Sequence, residues 1–114
     1  MTIEDIMTQR FAMAVRLKDE KREFYIKNHA EVWPEVLDEL KKIKVKNYSI
    51  FLKEDFMFGY LEYDGEDFDK DMGDMQKIPI VDKWTKLMID CFNPFPKNED
   101  NNSWVMMDQI FFME

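Results

Sequence analysis

The hydrophobic periodicities along this 114-residue chain predict an α+β domain of the split βαβ type. Three observations carry that expectation. Residues 11–17 alternate Phe11, Met13, Val15 and Leu17 against Ala12, Ala14 and Arg16, the period of two that marks a strand with one large and one small face. Residues 47–52 and 56–63 alternate again around the polar Lys53, Glu54 and Asp55, as in a hairpin. Helical spacing fills the gaps, and an apolar run, 104–113, closes the chain. The order strand, helix, strand, strand, helices, strand is that of a ferredoxin-like sandwich spanning 1–114 as one domain.

The first helical stretch, 19–43, is the most informative. Asp19 is positioned to cap it, and Glu20 and Glu23 suit the positive end of the helix dipole. Pro34 has no N–H for the carbonyl of Ala30, so a break is expected between them, with Pro34 at the first position of a second segment reaching about Ile43. Ile26, Ala30, Trp33, Val36, Leu37, Leu40 and Ile43 form the expected core-facing stripe. Beside it Tyr25, His29 and Trp33 recur every four residues and line up on one face.

In the second strand Tyr48, Ile50 and Leu52 oppose Ser49 and Phe51, and in the third Gly59 marks either a bulge or a close approach. Asp67, Asp69 and Asp71 resemble the start of a calcium loop. A loop beginning at Asp67 would need glycine sixth and glutamate twelfth, where Met72 and Ile78 stand, so these acids read as the solvated face of a short helix. Pro79 opens the next helix, whose apolar face is Ile80, Trp84, Leu87, Met88 and Cys91. Residues 93–103 are a loop by composition. In the closing strand Ile110, Phe111 and Phe112 are contiguous, which predicts burial on both faces and hence a homodimer.

Composition narrows the function. The hydrophobic share of 46% is that of a folded chain despite 35% charged residues. A net charge of −8 argues against nucleic acid and anionic membrane surfaces as partners, and favours a small neutral ligand such as a sugar. One cysteine and ten methionines fit a reducing compartment, the cytoplasm. Residues 1–10 hold Glu4 and Asp5 and no apolar run, unlike a signal peptide, and no stretch has the length of a membrane span.

The chemistry-bearing residues are few. One histidine and one cysteine far apart provide no metal-ligand spacing, so no metal or cofactor is expected. Cys91 reads as a small buried hydrophobe, although sequence leaves a pairing with His29 open. What remains is proton transfer by an imidazole with an ordinary pKa of about 6.5, near a phenol and aromatic faces. A lone histidine beside an apolar stripe is more often a hydrogen-bonded boundary residue than a catalyst, so spacing alone leaves both roles open.

The run from Phe24 through Tyr25, His29, Trp33 and Pro34 to Glu35 resembles the signature of the L-rhamnose mutarotases. The likeness extends to Asn47-Tyr48-Ser49-Ile50-Phe51-Leu52, to Lys83-Trp84-Thr85-Lys86-Leu87-Met88 and to Gln109-Ile110-Phe111-Phe112. It implies a dimeric α+β barrel, an enzyme that interconverts the α and β anomers of a 6-deoxy sugar, His29 as catalytic acid, and Tyr25, Tyr48 and Trp84 as sugar contacts. Thr85 is expected to bind substrate as well, although it departs from the family pattern, which has a second tryptophan there. A non-catalytic binding module and a cofactor-free oxygenase on the same fold are the alternatives.

Overall fold

The computed structural model describes residues 8–96 and 104–114. The acid-bearing start and most of the polar loop before Trp104 lie outside the described residues. The elements are β1 (Gln9–Leu17), a 3-10 turn (Asp19–Lys21), α1 (Arg22–Ala30), α2 (Pro34–Lys42), β2 (Val45–Lys53) and β3 (Phe56–Tyr63), followed by α3 (Phe68–Gln76), α4 (Pro79–Ile89), β4 (Phe92–Asn93) and β5 (Val105–Met107). The sheet is antiparallel in the order β2-β3-β1-β4, with β5 also on β1. That is the split βαβ order expected. Phe11, Met13, Val15 and Leu17 of β1 and Met57, Gly59, Leu61 and Tyr63 of β3 make the face toward the helices, and most of them are buried.

The break after Ala30 falls where Pro34 requires it. Trp33 is extended, as a residue before proline must be, and its carbonyl accepts from Val36 and Leu37 to start α2. Two local expectations fail. Asp19 lies in the 3-10 turn and no side chain caps α1. The stripe also fails in α1, where Tyr25 is the buried residue while Ile26 and Ala30 are exposed, and in α2 it holds except at Leu37, which is 41% exposed. A bulky amphipathic ring can be buried while its hydroxyl faces a cavity, and this one outcompetes the smaller Ile26 for the interior.

Gly59 marks a close approach: a Cβ there would sit 3.1 Å from Met13 Cγ and 3.4 Å from the Trp104 ring. The bulge lies in β2, where Asn47 and Tyr48 together span the place of Leu61 between the pairs Lys46–Glu62 and Ser49–Tyr60. Asn47 takes a φ of 50°, which asparagine tolerates, and its amide donates to Glu62 Oε1 at 2.9 Å. The bulge lets Val45 and Tyr48, three residues apart, both face inward.

The acidic segment is more specific than a solvated face. Asp67 caps α3 by accepting from the Lys70 N–H at 3.1 Å, and Asp71 accepts from the buried Tyr63 hydroxyl at 2.5 Å. Among the described residues no acidic cluster is arranged to hold a metal.

The closing strand is the main correction. It covers only Val105–Met107, and Ile110 and Phe111 are 95% and 77% exposed instead of buried on both faces. β1 pairs with β5 only from Ala12 to Ala14, after which the chain leaves the ladder and Phe112 packs under the Arg10 guanidinium. Continuous apolarity there reflects a surface without cover in one chain.

Candidate active site

The space between the sheet and the helices forms a cavity of about 770 Å³ that is partly open to solvent. Tyr25, His29, Tyr48, Trp84 and Thr85, singled out from sequence, all line it. They arrive from separate elements: α1 contributes Tyr25 and His29, β2 contributes Tyr48 through its bulge, and α4 contributes Trp84 and Thr85. Most of the remaining wall is apolar, including Met13, Ile50, Leu61, Val81 and Trp104.

His29 is held on three sides. Its ring stacks on Tyr25 at 4.0 Å and 22°, and tilts against Trp84 at 5.4 Å. Nδ1 lies 3.0 Å from the Tyr25 carbonyl oxygen. A carbonyl only accepts, so Nδ1 is the donor, and Nε2 of the neutral ring carries the lone pair. Burial pushes the His29 pKa below its ordinary 6.5, and the Tyr25 carbonyl offsets part of that. The resting imidazole at neutral pH is therefore a neutral base with its acceptor nitrogen fixed.

The two phenols are kept protonated. Burial raises the pKa of Tyr25, and the neighbouring Tyr48 and Cys91 raise it further. Tyr48 is 38% exposed, yet desolvation of its phenol pushes it up to about 12. Both are hydrogen-bond donors at neutral pH. Trp84 is buried and meets Trp33 edge-on at 5.1 Å. Trp33 thus supports the wall from behind and does not extend the Tyr25–His29 row into the cavity, because α1 ends at Ala30.

Cys91 is fully buried, its thiol donates to the Leu87 carbonyl at 3.4 Å, and burial raises its pKa. It takes no part in the cavity wall, which removes the pairing with His29.

Three polar lining residues escaped the sequence reading: Asp69, Gln76 and Asp108. Asp69 and Gln76 lie in a helix whose acids looked uniformly solvated, and Asp108 follows a strand expected to run on to Met113. Thr85 Oγ1 reaches Gln76 Oε1 at 2.7 Å. No feature of the sequence singles out that partner, because the two residues belong to different helices.

The geometry thus offers one proton-exchanging nitrogen, two phenol donors and aromatic faces around a space suited to a small neutral molecule. A family model described as L-rhamnose mutarotase matches residues 10–113. The L-rhamnose mutarotase of Listeria monocytogenes is 36% identical over 110 residues, covering 92% of this chain and 98% of that protein. Its counterpart in Oceanobacillus iheyensis is 36% identical over 99 residues, covering 83% and 88%. The crystal structure of the L-rhamnose mutarotase from Formosa agariphila superposes with a TM-score of 0.74 at 27% identity, covering 93% of this chain and 99% of that one.

Proposed function

The chain belongs to the L-rhamnose mutarotase family, and from that premise we propose that it interconverts the α and β anomers of L-rhamnose or a related 6-deoxyhexose, with His29 moving the proton. Membership makes it a carbohydrate mutarotase, an isomerase. The observation that carries the mechanism is the fixed tautomer of His29, with Nδ1 donating to the Tyr25 carbonyl and Nε2 left as acceptor.

The steps follow from chemistry. Nε2 takes the proton of the anomeric hydroxyl as the C1–O1 bond becomes a carbonyl and the bond from C1 to the ring oxygen breaks. The imidazolium then acts as proton donor to the ring oxygen, giving a neutral open-chain aldehyde. The two oxygens share one carbon, so a single nitrogen can serve both in turn. Rotation about C1–C2 presents the other carbonyl face, and closure reverses the transfers. Tyr25, Tyr48 and Trp84 position the sugar, with aromatic faces against C–H groups and polar atoms toward hydroxyls. Proton transfer by a placed group accounts for about 10² to 10⁴ in rate.

The proposal includes a homodimer acting in the cytoplasm, each chain a single domain, without nucleic-acid or membrane partners and without a cofactor. The exposed Ile110, Phe111 and Met113 support a second copy as cover. The net charge of −8 disfavours anionic polymers and surfaces, and no helix among the described residues is long and apolar enough to cross a membrane. NMR saturation transfer between the anomeric protons of L-rhamnose tests the activity directly. Catalytic amounts of protein should accelerate exchange with chelator present, and exchange no faster than buffer across a panel of 6-deoxyhexoses overturns the reading.

A further inference from the structure

In a largely apolar cavity, the hydrogen bond between Thr85 and Gln76 joins two lining side chains from different helices. Threonine inside a helix ordinarily bonds back to a carbonyl of its own preceding turn. Thr85 instead donates across to Gln76, the last residue of α3, at 2.7 Å. The bond assigns the remaining capacity of both groups. The only proton of Thr85 is committed, so its oxygen faces a ligand as an acceptor, and the Gln76 carbonyl is engaged, so its amide N–H groups remain as donors. Both residues are half-buried, where a polar group gains most from being matched.

An acceptor and a donor tied together in this way complement a hydroxyl, which donates one hydrogen bond and accepts another, or two adjacent hydroxyls that divide those roles. We propose that Gln76 and Thr85 form a hydroxyl-recognition pair for the sugar, with Gln76 the positioning residue that fixes the polarity of Thr85. The inference rests on the sugar reading above for its ligand class. It also accounts for Thr85: where the family pattern has an indole, this chain presents a polar pair, so one sugar hydroxyl is held by hydrogen bonds in place of an aromatic face.

The test is direct binding, which needs no turnover. Tryptophan fluorescence, with Trp84 and Trp33 as reporters, is titrated with L-rhamnose and with its analogues lacking one ring hydroxyl each. Gln76→Leu and Thr85→Val should each weaken L-rhamnose binding about tenfold, the effect of losing a matched hydrogen bond in a secluded site. One deoxy analogue should bind the wild type as weakly as the variants bind L-rhamnose, and lose nothing further in either variant. Thr85→Ser, which keeps the hydroxyl, should restore binding, whereas Gln76→Glu, which keeps the acceptor but not the N–H donors, should not. In anomer exchange the Gln76 variants should raise KM far more than they lower kcat.

If the pair merely ties α3 to α4, Gln76→Leu lowers Tm, leaves the affinity of folded protein unchanged and shows no dependence on which hydroxyl is missing; that result overturns the proposal. Should Gln76→Leu fail to fold, the near-isosteric Gln76→Glu and Thr85→Ser still decide through their opposite expected effects. Wild-type binding without accelerated exchange would remove the mutarotase reading while leaving the pair intact. Absence of any binding of L-rhamnose or its analogues by the wild type overturns the pair.

Discussion

At the scale of single residues, the proposed chemistry turns on His29. Asparagine there can still meet the Tyr25 carbonyl but cannot exchange a proton near neutral pH, so His29→Asn is expected to lower the exchange rate by about 10² to 10⁴ while circular dichroism stays native. An unchanged rate would return His29 to the role of a boundary residue. The pH profile follows from the same environment. A burial-lowered pKa means that the neutral, proton-accepting form persists below pH 6.5, so activity should hold through neutrality and fall only as pH drops through that lowered value. Stability moves with the same sign: the unfolded chain binds the proton more readily, so this contribution is complete above about pH 6.5 and is lost as pH falls. Urea titrations at pH 7 and pH 5 should show a smaller loss for His29→Asn than for the wild type.

At the scale of elements, the turn from β3 into α3 is held by one buried side chain. Tyr63 donates to Asp71 at 2.5 Å and accepts from the Asp67 N–H at 3.0 Å, which fixes the start of the helix that brings Gln76 to the cavity. Tyr63→Phe leaves both partners unmatched and should cost about 1–3 kcal/mol in urea denaturation. Gly65 packs against the same hydroxyl so closely that a Cβ would overlap it, and the buried, bonded Tyr63 has nowhere to move. Gly65→Ala should therefore destabilise at least as much, and a neutral result would mean that the turn shifts freely. These elements also show what sequence can convey. Pro34 and Pro79 announce helix starts through local sterics, and alternation announces β1 and β3. The rotation of α1 onto Tyr25 was not legible, because periodicity ranks Ile26 above tyrosine and cannot sense a cavity beside the ring. The pairing of Gln76 with Thr85 depends on how two helices pack, which no local pattern encodes.

At the scale of the whole molecule, the sheet has an uncovered side. Phe51 and Phe56 are exposed there, and beyond β5 the exposed Ile110, Phe111 and Met113 follow. Arg10 holds Phe112 at 3.9 Å, so the segment is tethered near β1 without being enclosed. Light scattering at micromolar concentration is expected to give the mass of two chains, and removal of the last five residues should shift it toward one. A full-length monomer would count against this assembly. The two-sided apolarity of 110–112 was legible from sequence, but single-chain burial could not follow from it, since one helical layer covers only one face of the sheet.

The bulge in β2 decides which frame of the strand faces the cavity. Asn47 is a surplus residue in the ladder, absorbed without loss of the strand's facing. Two single deletions then have opposite meanings. Without Asn47 the strand pairs regularly and Tyr48 still points into the cavity; without Ser49 it also pairs regularly, but Asn47 takes the inward place and Tyr48 turns to the outside. The first variant should keep accelerating anomer exchange and the second should lose sugar affinity, although each lacks one residue of the same strand. A one-residue change in length at this point thus has one frame in which the cavity wall survives and one in which it is exchanged, a larger step than any point substitution in β2 provides.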